Sequence, residues 1–291
     1  YGILEPDNLP RRRFFEVQSF FREVRPYEQV LTTPVHSDVA ILYDFDALAS
    51  FRIQQQSCLL DCEREMKRLH SCLFRAGQSV DVIPASRDFS HYKLVLVPNL
   101  IVTDPDFAAR LKAYVAGGGV AVVTYRTAVK DRDNNLVFGK TTPVDCGDLL
   151  GLYVEETESV QAYDCIPIAG EKGGGTAGIF RDMVVPQGAQ VLWHYDDPFY
   201  RSYAAITRNA YGQGAAYYLG TTPEQAILDQ VLGQAMEEVG LEWLDLPEGV
   251  ESVLRGEGDS QVRILLNHNE TPVHVLGQEL APFQVEVLPV T

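Results

Sequence analysis

Four short runs of branched apolar residues constrain the fold of this 291-residue chain more than any other feature. The first, Val39 to Tyr43, is apolar throughout, which is typical of a strand that is buried on both faces of a sheet. Similar runs follow at 79–84, 93–98 and 120–125. One helical pattern separates the first run from the second, and another precedes the last. This order predicts an α/β fold with a doubly wound parallel sheet.

Both helical patterns carry start and stop signals. Ser57 is expected to cap the first helix, which ends at Gly77. Thr103 or Asp104 is expected to cap the second, which ends at the glycines of 117–119. Because these glycines follow a helix and precede a strand, the reverse of a phosphate-binding loop, they predict no nucleotide site.

After residue 125 the pattern changes to turns and shorter strands. The stretch 130–139 predicts a polar loop, and 145–155 predicts a short helix that continues into a strand. Glu171 to Thr176 predicts a flexible, glycine-rich insertion. Three further predictions complete the chain: strands within 184–220 with a hairpin turn at 212–214, a closing helix over 224–240, and a small antiparallel sandwich or barrel within 251–290.

The first 24 residues predict an amphipathic helix. Pro10 is a favourable first helical residue. The apolar side chains that follow recur at helical spacing: Phe14, Val17, Phe20, Phe21 and Val24. We expect this helix to be partly exposed and poorly ordered here, because we expect its packing partners to lie outside the given sequence.

The net charge of the chain argues against two classes of binding partner. Its 24 basic and 40 acidic residues give a formal net charge of −16. Nucleic acids and anionic membranes attract basic surfaces, so neither is an expected partner. No apolar run approaches the roughly 18 residues of a membrane span. The five cysteines lack a paired short spacing, so we expect a cytoplasmic protein without a disulfide framework.

A doubly wound sheet also occurs in enzymes of the class I glutamine amidotransferase type. These enzymes place a nucleophilic Cys in a tight turn after a central strand. The corresponding turn here, residues 126–128, contains neither a Cys nor a glycine-flanked Ser. The histidines are scattered without zinc-site spacing, so neither a metal nor a cofactor is predicted. Cys146 stays open as an unusual nucleophile.

Two other patterns favour a structural explanation. Asp131, Asp133 and Asn135 alternate as calcium ligands do, but the glycine and the final Glu of an EF-hand loop are missing, so a solvated loop is favoured. Trp193 and Tyr195 belong to an aromatic cluster beside two aspartates. Such a cluster can contact a sugar, but core or interface positions are favoured.

Five collinear stretches resemble the family 42 glycoside hydrolases, which are β-galactosidases. They are YGILEPDNLPRRRFFEV (1–17), VAILYDFDALASFRIQQQS (39–57), HYKLVLVPNL with AYVAGGGVAVVTYRTAVKDRDN (91–134), RNAYGQGAAYYLGT (208–221) and RILLNHNETPVHV (263–275). The resemblance implies that residues 1–33 end a TIM barrel and that 34–240 form a flavodoxin-like, class I amidotransferase-like trimerisation domain. It implies that residues 241–291 form a small antiparallel β domain.

The same resemblance implies a homotrimeric, retaining hydrolase of β-galactosides. The two catalytic glutamates of such an enzyme would lie on the barrel upstream, so no catalytic residue is assigned to this chain. Some positions depart from the family pattern. Tyr1 replaces a His, Glu5 replaces an Asp, and residues 47–50 replace an aromatic pair. If this loop shapes the sugar site in relatives, the substrate range of this protein differs.

A stand-alone carbohydrate-binding module with a degenerate amidotransferase-like fold is the alternative. Its site would lie at the carboxyl ends of the strands, near Asp44, Asp46 and Arg126. We therefore predict that these three residues mark a sugar-binding or assembly loop. The unpaired opening helix favours assembly, because a self-sufficient module has no use for it.

Overall fold

In the computed structural model, which describes residues 2–162, 164–256, 258 and 261–290, the predicted apolar runs are strands. The strands of the first half are β1 (Val39–Tyr43), β2 (Val80–Pro84), β3 (Leu94–Val97), β4 (Val120–Thr124), β5 (Leu152–Ser159), β6 (Ile166–Gly170), β7 (Gly173–Gly178) and β8 (Phe180–Pro186). Those of the second half are β9 (Gln190–Tyr195), β10 (Ala204–Tyr211), β11 (Gly214–Leu219), β12 (Thr222–Pro223), β13 (Val250–Arg255), β14 (Val262–Asn267), β15 (Val273–Val275), β16 (Gln278–Leu280) and β17 (Val285–Pro289).

Helices connect many of these strands. They are α1 (Arg12–Val24), α2 (Glu28–Leu31), α3 (Phe45–Ile53), α4 (Cys62–Arg75), α5 (Pro105–Ala116), α6 (Gly147–Leu150) and α7 (Gln225–Glu238). The chain divides into two units. The larger comprises residues 37–248, and the smaller joins residues 1–36 to residues 249–291.

A parallel sheet lies at the centre of the larger unit. Its strands lie side by side in the order β2-β1-β3-β4-β11, and each neighbouring pair is parallel. The alternation of side chains along β1 builds a core on each face. Val39 and Ile41 pack in the core that includes α4 and α7, whereas Ala40 and Leu42 pack in the core that includes α5 and α6. The larger unit is thus an α/β structure with helices on both faces of the sheet.

Antiparallel strands extend this sheet beyond β11. β10 pairs with β11 through the predicted hairpin, and the sheet then continues through β9, β6, β7 and β12, with β8 and β5 attached beside β10. The prediction of a flexible insertion at residues 171–176 was wrong, because β7 (173–178) pairs with both β6 and β12. A side chain of β9 also holds the backbone of β7, because the Trp193 indole N–H donates to the Gly173 carbonyl at 3.0 Å.

The first helical region also differs from the prediction. Asp61, not Ser57, caps α4, because its carboxylate accepts the Arg64 N–H at 3.0 Å. Ser57 instead closes a separate turn, in which its hydroxyl accepts the Leu59 N–H. The turn follows α3, a helix that the sequence pattern did not reveal. Of the two candidate caps of α5, Asp104 is the one used.

The smaller unit combines the opening helices with short antiparallel sheets. β13, β14 and β17 form one sheet, and β15 and β16 form another. The Arg255 guanidinium donates to the carbonyl oxygens of Leu31 and Thr33, which attaches the segment after α2 to β13. None of the residues of α1 is buried, as expected for an amphipathic helix without a partner. Within the described residues, no helix has the length and apolar character to cross a membrane.

Candidate functional site

The carboxyl ends of β1 and β3 form the place where a parallel sheet of this order would bind a ligand. The connection from β1 leads to β2 on one side, and the connection from β3 leads to β4 on the other. Such a reversal leaves a crevice between the two strand ends, which is the usual ligand site of open α/β sheets. Asp44 follows β1 at this edge of the sheet.

Asp44 is the N-cap of α3. Its Oδ1 accepts the backbone N–H groups of Asp46 at 2.8 Å and Ala47 at 3.1 Å. Its Oδ2 accepts a hydrogen bond from Arg132 Nη1 at 2.7 Å. Asp46 is mostly exposed, and its carboxylate lies 3.8 Å from the same guanidinium nitrogen. Both oxygens of Asp44 are therefore engaged within the chain.

Arg132 joins two helix caps. Besides Asp44, it bonds Asp104, whose Oδ2 lies 2.9 Å from Arg132 Nε and whose Oδ1 accepts the Phe107 N–H. Burial alone would raise the pKa of Asp104, but the Phe107 N–H and the Arg132 guanidinium lower it below the ordinary value. The hydrogen bond to Asp44 raises the pKa of Arg132 above its ordinary value. The loop after β4 thus ties the N-terminus of α3 to that of α5.

Lys130 fills the inner part of the same crevice. The sequence placed it at the start of a polar loop, yet its side chain is buried. Its Nζ lies 3.2 Å from Ser50 Oγ and 3.1 Å from Asn134 Oδ1. Burial, and to a smaller degree the charge of Arg126, lowers the pKa of Lys130. The ammonium therefore occupies space that a ligand would need.

Arg126 lies apart from the two predicted aspartates. It follows β4 with a left-handed φ of +60°, a conformation that side chains with a Cβ adopt at a cost. Its Nε is buried without a hydrogen-bond partner among the described residues. Burial lowers the pKa of Arg126, and the nearby Asp182 opposes this shift. Within the described residues, no hydrogen bond or ion pair joins it to Asp44 or Asp46.

Asp182 is a buried acid that sequence reasoning missed. Its carboxylate accepts the Tyr218 hydroxyl at 2.5 Å and the Thr157 hydroxyl at 2.7 Å. Burial raises the pKa of Asp182, while the hydrogen bond from Tyr218 lowers it. The available signal was one acidic residue within the apolar run FRDMVVP. This group braces β5, β8 and β11 and has no exposed face to offer a substrate.

A small cavity lies beneath the ends of β3, β4 and β11. Its volume is about 10 Å³, room for roughly one water molecule. Asn99 lines it, and its Oδ1 is buried without a partner among the described atoms. Glu65 also lines it, and burial raises the pKa of this carboxyl. The cavity is too small for a monosaccharide.

The remaining candidates for chemistry are buried or isolated. Cys146 is 2% exposed, and burial raises the pKa of its thiol to about 12, so an accessible thiolate nucleophile is excluded there. Trp193 and Tyr195 lie in the core, as favoured from the sequence. Within the described ranges, no group of three or more His, Cys, Asp or Glu side chains could hold a metal ion.

Comparison with known proteins identifies the family that has this architecture. Residues 37–242, which include nearly all of the larger unit, match the family model described as the β-galactosidase trimerisation domain. The chain belongs to this family. The match covers nearly all of the α/β unit, and the matched segment contains Asp44, Asp46 and Arg126.

The proteins that are similar to this chain are longer. The β-galactosidase BgaA of Clostridium cellulovorans is 32% identical over 274 residues, which cover 93% of this chain and 41% of that protein. The crystal structure of a β-galactosidase from Bacillus circulans sp. alkalophilus superposes with a TM-score of 0.88 at 22% identity, over 99% of this chain and 46% of that one. The β-galactosidase of Rahnella sp. R3 gives 0.83 at 25% identity, with 99% and 46% covered. The chain spans less than half the length of these proteins.

Proposed function

We propose that this chain is the C-terminal, non-catalytic part of a β-galactosidase and that its task is to assemble the enzyme into a homotrimer. The observation that carries the proposal is the match of residues 37–242 to the trimerisation-domain model. The β-galactosidase relatives, of which this chain spans about two fifths, support a longer parent enzyme. That enzyme would hydrolyse terminal β-D-galactosides with retention and act in the cytoplasm.

The filled crevice supports the non-catalytic part of this proposal. A retaining glycosidase needs two carboxyl groups about 5 Å apart that flank an accessible sugar site. Asp44 is committed to capping α3 and to Arg132, and Asp182 is buried among hydroxyl groups. The catalytic glutamate pair and the substrate site of the parent would then belong to a barrel outside the given sequence.

We also propose that the fold of the larger unit is flavodoxin-like and related to that of the class I glutamine amidotransferases. The strand order β2-β1-β3-β4-β11 supports this, since it is the flavodoxin-like order with β11 as the fifth parallel strand. Arg126, with its left-handed backbone, stands in the turn where those enzymes carry their nucleophile. The role of Asp44, Asp46 and Arg126 in this scheme is structural support of an assembly edge.

An activity assay tests the non-catalytic role. The purified chain should release no nitrophenol from a nitrophenyl β-galactoside above the buffer blank, because the proposed catalytic glutamate pair belongs to a barrel outside the given sequence. Hydrolysis that survives removal of contaminating enzymes would contradict the proposal.

A melting experiment separates assembly from the alternative of a carbohydrate-binding module. Millimolar galactose should leave the Tm unchanged, because Lys130 and Arg132 occupy the crevice at the strand ends. A ligand that binds the folded state raises the Tm in proportion to the logarithm of its concentration. A galactose-dependent increase would favour the binding module.

A further inference from the structure

Arg126 carries a guanidinium that the described fold leaves without an anionic partner. The residue is partly buried, and Nε is the one nitrogen of its guanidinium that is both buried and unpartnered among the described atoms. No described residue forms a hydrogen bond or an ion pair with either Nη. The two Nη groups therefore reach solvent, while the stem of the guanidinium is enclosed.

The other partly buried arginines in the described part of residues 37–248 differ from Arg126 in this respect. Each of them is paired with a carboxylate: Arg68 with Glu65, Arg181 with Glu158 and Arg208 with Glu238. The pair of Arg208 shows the complete fork, since its Nε lies 2.7 Å from one oxygen of Glu238 and its Nη2 lies 2.8 Å from the other. A partly desolvated cation is costly unless an anion or hydrogen bonds compensate for the lost water. Arg126 has this cost without the carboxylate.

Asp182 does not supply the missing partner. It is close enough to Arg126 to oppose the lowering of the pKa of this guanidinium. Its carboxylate, however, accepts the hydroxyl groups of Tyr218 at 2.5 Å and Thr157 at 2.7 Å, and within the described residues it forms no ion pair with Arg126. Asp182 therefore reduces the field around Arg126 and leaves its N–H groups unpaired.

Lys130 is a second cation without a carboxylate. The charge of Arg126 contributes to the lowered pKa of Lys130, so the two cations lie near each other. The Nζ of Lys130 has neutral oxygens as its described neighbours: Ser50 Oγ at 3.2 Å, Asn134 Oδ1 at 3.1 Å and Gln54 Oε1 at 3.4 Å. An anion bound to Arg126 would thus reduce the repulsion between the two cations.

The turn that carries Arg126 is held in one conformation. The Ala128 N–H donates to the Leu100 carbonyl at 2.9 Å, and the Thr127 hydroxyl accepts the Leu100 N–H at 3.2 Å. Arg126 and Ala128 both have left-handed φ angles, of +60° and +56°. Such conformations persist where the surroundings enforce them, and they cluster at ligand sites. A donor on an ordered turn loses little entropy when it binds.

The chemistry of the guanidinium selects a carboxylate as the ligand. Its planar pair of N–H groups matches the two oxygens of a carboxylate, and the charge strengthens both hydrogen bonds. Galactose is neutral, so its hydroxyl groups would leave the charge of Arg126 uncompensated. The chain carries a formal net charge of −16, which disfavours the approach of acidic side chains from another copy. A small carboxylate from solvent carries less charge and fits the exposed Nη edge.

We propose that the two Nη groups of Arg126 form a binding site for a small carboxylate at the carboxyl end of β4. This ligand chemistry is additional to the place of Arg126 in the proposed assembly edge. The site does not depend on trimer formation, because the contacts that enclose and orient Arg126 lie within one chain.

A nuclear magnetic resonance titration with formate, the smallest carboxylate, tests the site. Formate replaces chloride at constant ionic strength, and the backbone amide signals of residues 126–128 should shift and saturate. Arg126→Lys keeps the positive charge but lacks the fork, so it should raise the dissociation constant for formate at least about tenfold. Arg201→Lys, at an exposed position on a different loop, should leave the constant unchanged.

The wild type gives a second measurement that does not depend on whether a variant folds. The Nε–H signal of Arg126, assigned by through-bond correlation, should shift with the same dissociation constant as the turn amides. The Nε–H signal of Arg201 should show no saturable change in the same titration. Circular dichroism spectra of both variants show whether the comparison of their dissociation constants is valid.

Three results would overturn the site. The signals of the turn and of Arg126 Nε–H could stay unchanged in formate, they could follow the same unsaturated course as Arg201, or Arg126→Lys could bind formate as tightly as the wild type. An unchanged signal together with a trimer that Arg126→Lys weakens would identify an acidic side chain of another copy as the partner instead. A monomeric wild type that binds formate at Arg126 would overturn the proposed assembly alone.

Discussion

Lys130 is the residue at which the sequence and the structure differ most clearly. Within KDRDNN its neighbours are polar, so the local pattern predicts a solvated side chain. The side chain is instead buried against Ser50, which is 80 positions away in the sequence. Contacts at this separation leave no trace in local periodicity. Asp182 left one local signal, an acidic residue within FRDMVVP, but its partners Thr157 and Tyr218 lie 25 and 36 positions away in the sequence. Buried charges of this kind follow from tertiary packing alone.

The buried ammonium of Lys130 predicts a dependence of stability on alkaline pH. Its pKa is lowered from 10.5 in the folded state, first by burial and then by Arg126. Between the lowered pKa and 10.5 the unfolded chain binds more protons than the folded chain, so the free energy of unfolding rises with pH there. The slope from this one group is at most about 1.4 kcal/mol per pH unit.

Urea unfolding of the wild type and of Lys130→Met, at pH values between the lowered pKa of Lys130 and 10.5, measures this dependence of stability on pH. The wild-type free energy of unfolding minus that of the variant should increase with pH. Lys67→Met, at an exposed position on α4, corrects for the general effect of removing one positive charge. A difference that is flat or falls with pH would show that the buried ammonium is not disfavoured.

Among the elements, the strands were predicted more accurately than their connections. β1 was predicted with its observed bounds, because VAILY is apolar throughout and is buried on both faces. β7 was missed because a glycine-rich strand has no side-chain pattern, and its pairing with β6 and β12 is all that defines it. The cap of α4 was misplaced because Ser57 and Asp61 are both good N-cap residues, and only the fold selects between them.

The link between α3 and α5 predicts a specific cost for Asp104→Asn. Asparagine still caps α5 but loses the charge that faces Arg132, so the free energy of unfolding should fall by about 0.5–1 kcal/mol. Asp61→Asn is the matched control, because Asp61 caps α4 through the Arg64 N–H and forms no ion pair with another described residue.

Denaturant unfolding of both variants gives the comparison. The Asp61→Asn variant should stay within about 0.5 kcal/mol of the wild type. If both substitutions cost the same, the Arg132 bridge contributes nothing beyond the cap and the proposed brace between the two helices is wrong.

At the scale of the whole molecule, family and assembly follow from different observations. The predicted resemblance to β-galactosidases was confirmed by the match of residues 37–242 to their trimerisation domain. The residues 44, 46 and 126 stay a prediction as an assembly or sugar loop. Sequence reasoning could place them at the strand ends, but it could not show that Arg132 and Lys130 fill the space between those ends. Tyr1, singled out in the sequence, lies outside the described residues.

This chain is proposed to assemble into a homotrimer by itself. Sedimentation equilibrium of the wild-type chain over a wide concentration range tests it most directly. We expect a species of about 97 kDa, three times the 32.4 kDa of one chain, that persists on dilution. A mass that stays at 32.4 kDa at every concentration would contradict it.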